Sequence, residues 1–383
     1  MRRADGFSIV ELLVASAVTL AVVAGISALL NPVQAAFQSQ TEAADVEQRL
    51  RVAAQMLEAD IAGAGSGPDR GVRAGPLGQT FPPILPFRRG SGADDPPATA
   101  FADRITLVSV PPAAPSTTVS GNGPPQDSDW LGVDAQPECP VSDPLCLFTA
   151  DSAAVVFDDS ANVDLIAITA VSSENPTPML QHANQHLTFA AYRPSAAAVT
   201  GVSTVSYAID HQASQLVVSS GLGAPDAPAA DNVVALSFAY LVDPQPPNLT
   251  TYGPRPPPID VQGPSLEWPP GENCAFAVVA GAHVPRLPVL GAGSTLLPMA
   301  LAQFTDGPWC PDSSSTNRWD ADLLRVRAVV VTLRVQAAIV ALRGPAGLLF
   351  SVAGTGRDSN RWVPDQEVSF QVTPRNLNLE RVP

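Results

Sequence analysis

A single glutamate, Glu11, lies near the start of an otherwise uncharged apolar run that extends from Phe7 to Leu30. A charged side chain inside a bilayer helix costs about 2.5–3.5 kcal/mol on insertion scales, so such a residue usually has a partner and a function. At about 1.5 Å per residue the run is long enough to cross a hydrocarbon core of about 30 Å. The pattern predicts a membrane-spanning helix whose one carboxylate has a specific task.

The residues before this run are short, basic at Arg2 and Arg3, and end in Gly6 directly before Phe7. This arrangement resembles the class III signal of type IV prepilins. In that family a membrane peptidase cuts after the glycine and methylates the new N-terminus, and a glutamate is the fifth residue of the mature chain. Gly6, Phe7 and Glu11 match these positions. The resemblance implies that residues 1–6 are a leader peptide and that Glu11 sets the register of subunits in a filament.

Physical chemistry agrees with that implication. Cleavage after Gly6 would place a cationic amine on Phe7, one helical turn from Glu11. The carboxylate would be partly neutralised by its own N-terminus in a monomer, and by a neighbour's N-terminus in a filament, where low dielectric strengthens the pair. The alternative is an ordinary signal anchor with one incidental acid. An ordinary cleaved signal, however, has its small-residue site after the apolar core.

The chain has 383 residues, with 36 acidic against 21 basic side chains and a formal net charge of −15. This balance argues against nucleic-acid binding, which normally requires a basic surface. No hydrolase-like set of residues is present, and no cofactor is expected. His182 and His186 have the i, i+4 spacing that suits a metal on a helix, but the surrounding sequence favours a strand. The chain is therefore not expected to be an enzyme.

Four cysteines, Cys139, Cys146, Cys274 and Cys310, form an even set on the side of the membrane expected to be exported. Three pairings are possible. We favour Cys139–Cys146, which closes a short loop, and Cys274–Cys310, which closes a longer one. Export into an oxidising compartment favours disulfide bonds over metal ligation by these cysteines. The sequence leaves free thiols open as an alternative.

Beyond the apolar run, Asn31-Pro32 predicts a kink or a break, because proline removes a backbone donor. Residues 31–63 form an amphipathic helix with Val46, Leu50, Ala53, Leu57 and Ile61 on its apolar face and Glu42 among the charged residues on other faces. Glycines from Gly63 onward end this helix.

Residues 64–383 are expected to form a β-rich head with strands at Arg104–Val110, Ala153–Asp158, Val163–Ala170, His186–Arg193, Val202–Ile209, Gln215–Ser219, Val233–Val242, Leu323–Leu342 and Glu367–Thr373. Proline-rich loops are expected at Pro82–Pro97, Pro111–Pro125 and Pro244–Pro270.

Three further segments are similar to minor pilins of the PilW type: Gln48–Gly65, Arg318–Leu333 and the ending Val372–Leu377, which contains Arg-Asn-Leu. The J-type pseudopilins of type II secretion share the same plan. The resemblance implies an α+β, type IV pilin-like fold, in which a long N-terminal helix packs on an antiparallel β-rich head.

Carboxylate pairs are the remaining candidates for a site, since calcium prefers oxygen ligands. Asp158-Asp159 is the first choice, followed by Asp94-Asp95, Asp127 with Asp129, and Asp320 with Asp322. None has the pattern of an EF-hand loop, and adjacent acids on loops are usually only solvated. The sequence therefore predicts no metal site.

These observations together favour a minor pilin of a priming or tip complex. Its expected partners are the prepilin peptidase, other minor pilins, a major pilin and an inner-membrane platform protein. The chain would be held in the inner membrane with its head in the periplasm, and would then move into a pilus.

A type II secretion pseudopilin is the first alternative function. A pilin-stemmed adhesin or DNA-uptake receptor is the second, although the acidic head counts against DNA. A membrane-anchored enzyme is the third.

Overall fold

A computed structural model describes most of the chain in twelve stretches. Within the helix, the side chains of residues 28–33 and 35 are not described. The described residues are 8–68, 76–89, 94–96, 98–120, 129–158, 163–173, 178–182, 197–221, 223–247, 268–269, 272–310 and 318–378.

The described chain has one long helix followed by antiparallel strands, which is the α+β organisation expected from the sequence. The helix is α1 (Ile9–Gly63). The strands are β1 (Ile84–Leu85), β2 (Arg104–Ser109), β3 (Ser116–Thr118), β4 (Trp130–Gly132), β5 (Ser152–Asp158), β6 (Val163–Ser172), β7 (Met179–His182), β8 (Ala197–Asp210), β9 (Gln215–Ser220), β10 (Ala227–Asp231), β11 (Val233–Val242), β12 (Phe276–Val279), β13 (Ala282–Pro285), β14 (Leu297–Met299), β15 (Trp309–Cys310), β16 (Trp319–Asp320), β17 (Val326–Val335) and β18 (Gln366–Val372).

A kink or a break was predicted at Asn31-Pro32; helix α1 continues through these residues, so the chain has no break there. Proline removes only one of the many backbone hydrogen bonds of this long helix, and long helices accommodate such a loss locally. Its C-terminal half buries the predicted apolar side chains Val46, Ala53, Leu57 and Ile61, whereas Leu50 is only half-buried. Glu42, predicted on an exposed face, is buried instead.

The helix ends in a left-handed glycine, Gly65, whose φ of 83° suits a C-terminal cap. The Gly65 amide donates to the carbonyl of Val108 (3.0 Å). A Cβ atom on Gly65 would lie 2.7 Å from a methyl carbon of Leu377. Leu377 belongs to the Arg-Asn-Leu ending, so this late segment packs against the end of the helix and leaves no space for a side chain at Gly65.

The larger sheet has ten strands, in the order β1-β2-β8-β5-β6-β7-β4, with β3, β9 and β10 attached to its side. Strand β8 is its centre and pairs antiparallel with β2, β3, β5 and β9. The Tyr207 hydroxyl on β8 donates to Asp60 of α1 (2.5 Å), which ties the end of the helix to the sheet. A smaller sheet has the order β14-β11-β17-β18.

Longer strands lie close to their predicted positions, and β11 has the predicted bounds. The predicted strand Leu323–Leu342 is instead a 3₁₀ turn at Ala321–Arg325, strand β17, and a second 3₁₀ turn at Val340–Leu342. The first turn forms because the Asp320 side chain accepts the Asp322 amide. Strand β3 lies within the predicted loop Pro111–Pro125. The predicted strand His186–Arg193 lies outside the described residues.

The chain divides into two compact units. The first contains Met1–Arg51 and Val335–Gln366, and the second contains Val52–Arg334 and Glu367–Pro383. The sequence analysis treats residues 64–383 as one head, whereas the structure groups Val335–Gln366 with the first part of the helix.

Candidate assembly site

The N-terminal part of α1 is an exposed apolar helix. Ile9–Ser27 is long and apolar enough to cross a membrane, and none of it is buried. Its side chains include Leu12, Val18 and Leu20, which are 64%, 58% and 70% exposed. Such a surface needs an apolar environment, because leaving large apolar side chains in water is unfavourable. A signal sequence near an N-terminus has the same character, so this observation establishes a candidate membrane helix only.

Glu11 lies in the first turn of that helix and forms a reciprocal cap with Ser8. The Ser8 amide donates to the Glu11 carboxylate (2.9 Å), and the Glu11 amide donates to the Ser8 hydroxyl (3.2 Å). This is a capping box, which satisfies two backbone donors at the helix start. The carboxylate also lies at the positive end of the helix dipole, where negative charge is stabilised.

This cap was not predicted, although the sequence carries its signal. Ser8 followed by Glu11 is the Ser-x-x-Glu pattern that precedes an apolar helix. Glu11 thus has a local role besides the assembly role predicted for it. Gly6 and Phe7, the predicted processing residues, lie outside the described residues.

Glu42 forms a buried polar joint between α1 and the segment that begins at Val335. Its carboxylate accepts the Ala338 amide (2.5 Å) and an Arg49 guanidinium N–H (3.0 Å). Arg49 also donates to the Gln336 carbonyl (3.3 Å) and to Asp45 (2.9 Å). Glu42 is 7% exposed, so its charge is stabilised by these donors and not by water.

The cysteines form the two favoured pairs in the structure. Cys139 is bonded to Cys146, and Cys274 is bonded to Cys310. The first bridge closes a short loop. Gln136, just before this loop, donates from its side-chain amide to the Ser116 carbonyl (3.4 Å).

An open groove of about 540 Å³ lies beside this loop. Prolines form much of its wall, with polar groups on Thr117, Asp134 and Glu138. The prolines are Pro68, Pro111, Pro112, Pro115 and Pro137. Its lining includes no histidine or cysteine, so it offers no nitrogen or sulfur ligand set for a metal.

Of the predicted calcium candidates, Asp320 and Asp322 lie together with a third acid, whereas only one residue of the first choice, Asp158-Asp159, is described. Asp158 is buried at the end of β5, and Asp159 lies outside the described residues. His182 is buried at the end of β7, and its predicted partner His186 is also outside them. Predictions for a metal at these residues therefore gain no support.

Among the described residues, one acidic group of three converges: Asp306, Asp320 and Asp322 have carboxylate oxygens within 4.8 Å of one another. Asp306 is exposed, and the other two are buried. A guanidinium N–H group of Arg325 lies 3.2 Å from Asp322, and another Arg325 N–H donates to the Pro288 carbonyl. We assign the positive charge at this cluster to Arg325, which is fully buried.

Burial controls the proton affinity of this cluster. Desolvation raises the pKa of Asp322 to about 7, with Arg325 opposing the shift and the neighbouring acids adding to it. Desolvation likewise raises the pKa of Asp320 to about 6, although amides of Asp322 and Gly307 donate to its carboxylate and oppose the shift. Folding therefore favours the protonated acids between about pH 4 and pH 7.

This shift predicts a pH-dependent effect of Asp322→Asn. A raised folded-state pKa means that the free energy of unfolding falls as pH rises from about 4 to about 7, because the folded state then loses protons that it binds more tightly. Asparagine does not titrate in this range, so it does not contribute to this fall. Between pH 5 and pH 8 we expect the free energy of unfolding of the variant, relative to that of wild type, to rise by on the order of 2 kcal/mol. Urea unfolding at both pH values measures the difference, with exposed Glu58→Gln as the matched charge control. Parallel pH profiles for wild type and Asp322→Asn would contradict it.

Comparison with known proteins gave no match: no protein-family model, no curated protein and no solved structure matches this chain.

Proposed function

We propose that this protein is a membrane-anchored minor pilin that takes part in the priming or tip complex of a type IV pilus. The apolar helix would hold the chain in the inner membrane with the β-rich part in the periplasm. After removal of residues 1–6, the same helix would enter the filament. Its partners would be the prepilin peptidase, other minor pilins, a major pilin and an inner-membrane platform protein.

The observation that carries the proposal is the combination of an uncovered apolar helix and one carboxylate at its first turn. Ile9–Ser27 is entirely exposed, so no residue that the structure describes covers this surface. Glu11 is at the helix start, where a cationic N-terminus on Phe7 would lie within reach of its carboxylate. A bilayer and the helices of a filament are both apolar environments that satisfy this surface, and a subunit that moves between them needs no second anchor.

The long helix and the antiparallel sheets support the proposal more weakly. Helix α1 continues from the apolar run into a half that buries Ala53, Leu57 and Ile61. The Arg-Asn-Leu ending, which resembles PilW-type pilins, packs at the helix end through Leu377.

N-terminal processing tests the proposal directly. Intact-mass measurement is made on the protein from cells with and without the prepilin peptidase. We expect the mature chain to begin at N-methylated Phe7 only when the peptidase is present. Gly6→Val should block cleavage, whereas Gly25→Val, a glycine in open space within the helix, is the control that should be cut normally. Cleavage after the apolar helix, or a chain of full mass in both strains, would overturn the proposal.

A further inference from the structure

The loop of residues 338–353 exposes an unusual number of apolar side chains. Leu348 is 97% exposed and Leu349 is 53% exposed, and further exposed side chains are Ile339, Val340 and Val352. The neighbouring Phe350, Leu342 and Val363 are buried in the same unit. The loop therefore has an interior of its own and leaves a second set of apolar side chains outside it, which indicates an interaction surface.

Backbone contacts fix the shape of this loop. The Gly354 amide donates to Gly344 (2.8 Å), and the Thr355 amide donates to Val340 (2.9 Å). A Cβ atom on Gly354 would meet the Cβ and carbonyl oxygen of Arg343, so only glycine fits there. Gly347, in contrast, has nothing within 4 Å of the corresponding position. The exposed side chains are thus presented by a tightly packed backbone.

Hydrogen bonds to α1 fix the position of the loop along the helix axis. Glu42 accepts the Ala338 amide, and Arg49 donates to the Gln336 carbonyl. Glu42 lies about 22 Å along the helix from Ser27, at about 1.5 Å per residue. A bilayer that contains Ile9–Ser27 therefore ends well before this attachment point. Because α1 is continuous, its own apolar run cannot fold back onto the loop.

The loop has almost no charged side chains, which favours an uncharged, apolar partner. Between residues 338 and 356 the sequence has one charged side chain, Arg343, and it is buried and donates to Gln336 (2.5 Å). A partner with fixed charges would be desolvated here without compensation. The chain itself contains one long surface of matching chemistry, the helix Ile9–Ser27, whose only charge is Glu11 at its start.

We propose that the 338–353 loop docks the apolar helix Ile9–Ser27 of a second copy of this chain. The two copies would be displaced along the helix axis by about 36 Å, the length from Val18 to Glu42. The contact joins two different surfaces, the loop of one copy and the apolar helix of the other, so it is heterologous. The docking rests on the proposed function, because the apolar helix must leave the bilayer to reach the loop.

Cysteine crosslinking in the native host tests the docking. All four native cysteines are disulfide-bonded, so introduced thiols are distinguishable. One tagged copy carries Leu348→Cys, and a second copy with another tag carries Val18→Cys. We expect an oxidised adduct containing both tags. The control, Asn360→Cys with Val18→Cys, uses an exposed position outside the loop and should give at least tenfold less adduct. Equal adducts from the two pairs, or none from Leu348→Cys, would overturn the docking.

Two glycine variants separate docking from folding. Gly354→Ala distorts the loop and should reduce the Leu348–Val18 adduct, whereas Gly347→Ala should leave it unchanged. Reduction by both variants, or by neither, would count against a shaped docking surface. N-terminal mass is measured in the same cells. Normal processing with no adduct removes only the docking inference, an adduct without processing removes only the pilus proposal, and loss of both removes both.

Discussion

Glu11→Gln is expected to preserve the start of α1 and to block filament incorporation. Glutamine in this position can still accept the Ser8 amide, since Glu and Gln both complete a capping box. What the variant loses is the charge that would pair with an N-terminal amine in a low-dielectric filament. A loss of only about 1.4 kcal/mol per subunit reduces incorporation about tenfold. We therefore expect at least a tenfold decrease in tagged subunit in the sheared surface fraction.

Ser8→Ala is the matched control, because it removes the serine side of the cap and leaves the charge of Glu11 unchanged. It should incorporate at close to the wild-type level, since loss of such a cap costs only about 1 kcal/mol at a helix end. Processing after Gly6 should be unaffected in both variants. If Glu11→Gln incorporates normally and Ser8→Ala does not, Glu11 acts through the helix cap and its proposed register role is wrong.

Glu42→Ala is expected to destabilise the first unit by about 3 kcal/mol. It leaves the Ala338 amide without its acceptor and the partly buried Arg49 without one of its two carboxylates. Removing one partner of a buried ion pair typically costs about 3–5 kcal/mol, and retention of Asp45 places the effect at the lower end. Hydrogen exchange on the detergent-solubilised full chain should show faster exchange in residues 338–353.

Glu47→Ala is the matched control on the same helix. Glu47 pairs with Arg51 at i, i+4 spacing, but both side chains are about two-thirds exposed. Such a pair contributes at most about 0.5 kcal/mol, so urea unfolding should show little change. Equal effects of Glu42→Ala and Glu47→Ala would contradict the buried joint. Unchanged exchange in residues 338–353 would show that Glu42 does not hold the loop.

Local patterns in the sequence predicted the parts of the fold that depend on near neighbours. The apolar run, the helical spacing of Ala53 and Leu57, and the mostly apolar segment Val233–Val242 have the structures expected of them. Short strands such as β3 were missed, because their pairing with β8 depends on a partner distant in the sequence. The favoured cysteine pairs also occur in the structure.

Residues that act through distant partners were not predictable in the same way. Glu42 was expected on a face of the helix other than the apolar one, yet it is buried and accepts the amide of Ala338, 296 residues away. Asp320 and Asp322 were weak calcium candidates, and only the fold brings Asp306 and Arg325 to them. In both cases the side chain's environment is set by a chain segment that no local pattern specifies.

The sequence by itself determined the apolar helix, its single carboxylate and the α+β class, because hydrophobic periodicity and turn chemistry act over a few residues. Tertiary structure alone decided that 338–353 returns to α1 at Glu42, that Arg325 lies against Asp322 in an acidic cluster, and that Leu348 remains exposed. These features depend on which distant surfaces meet, and burial then determines which charges need partners.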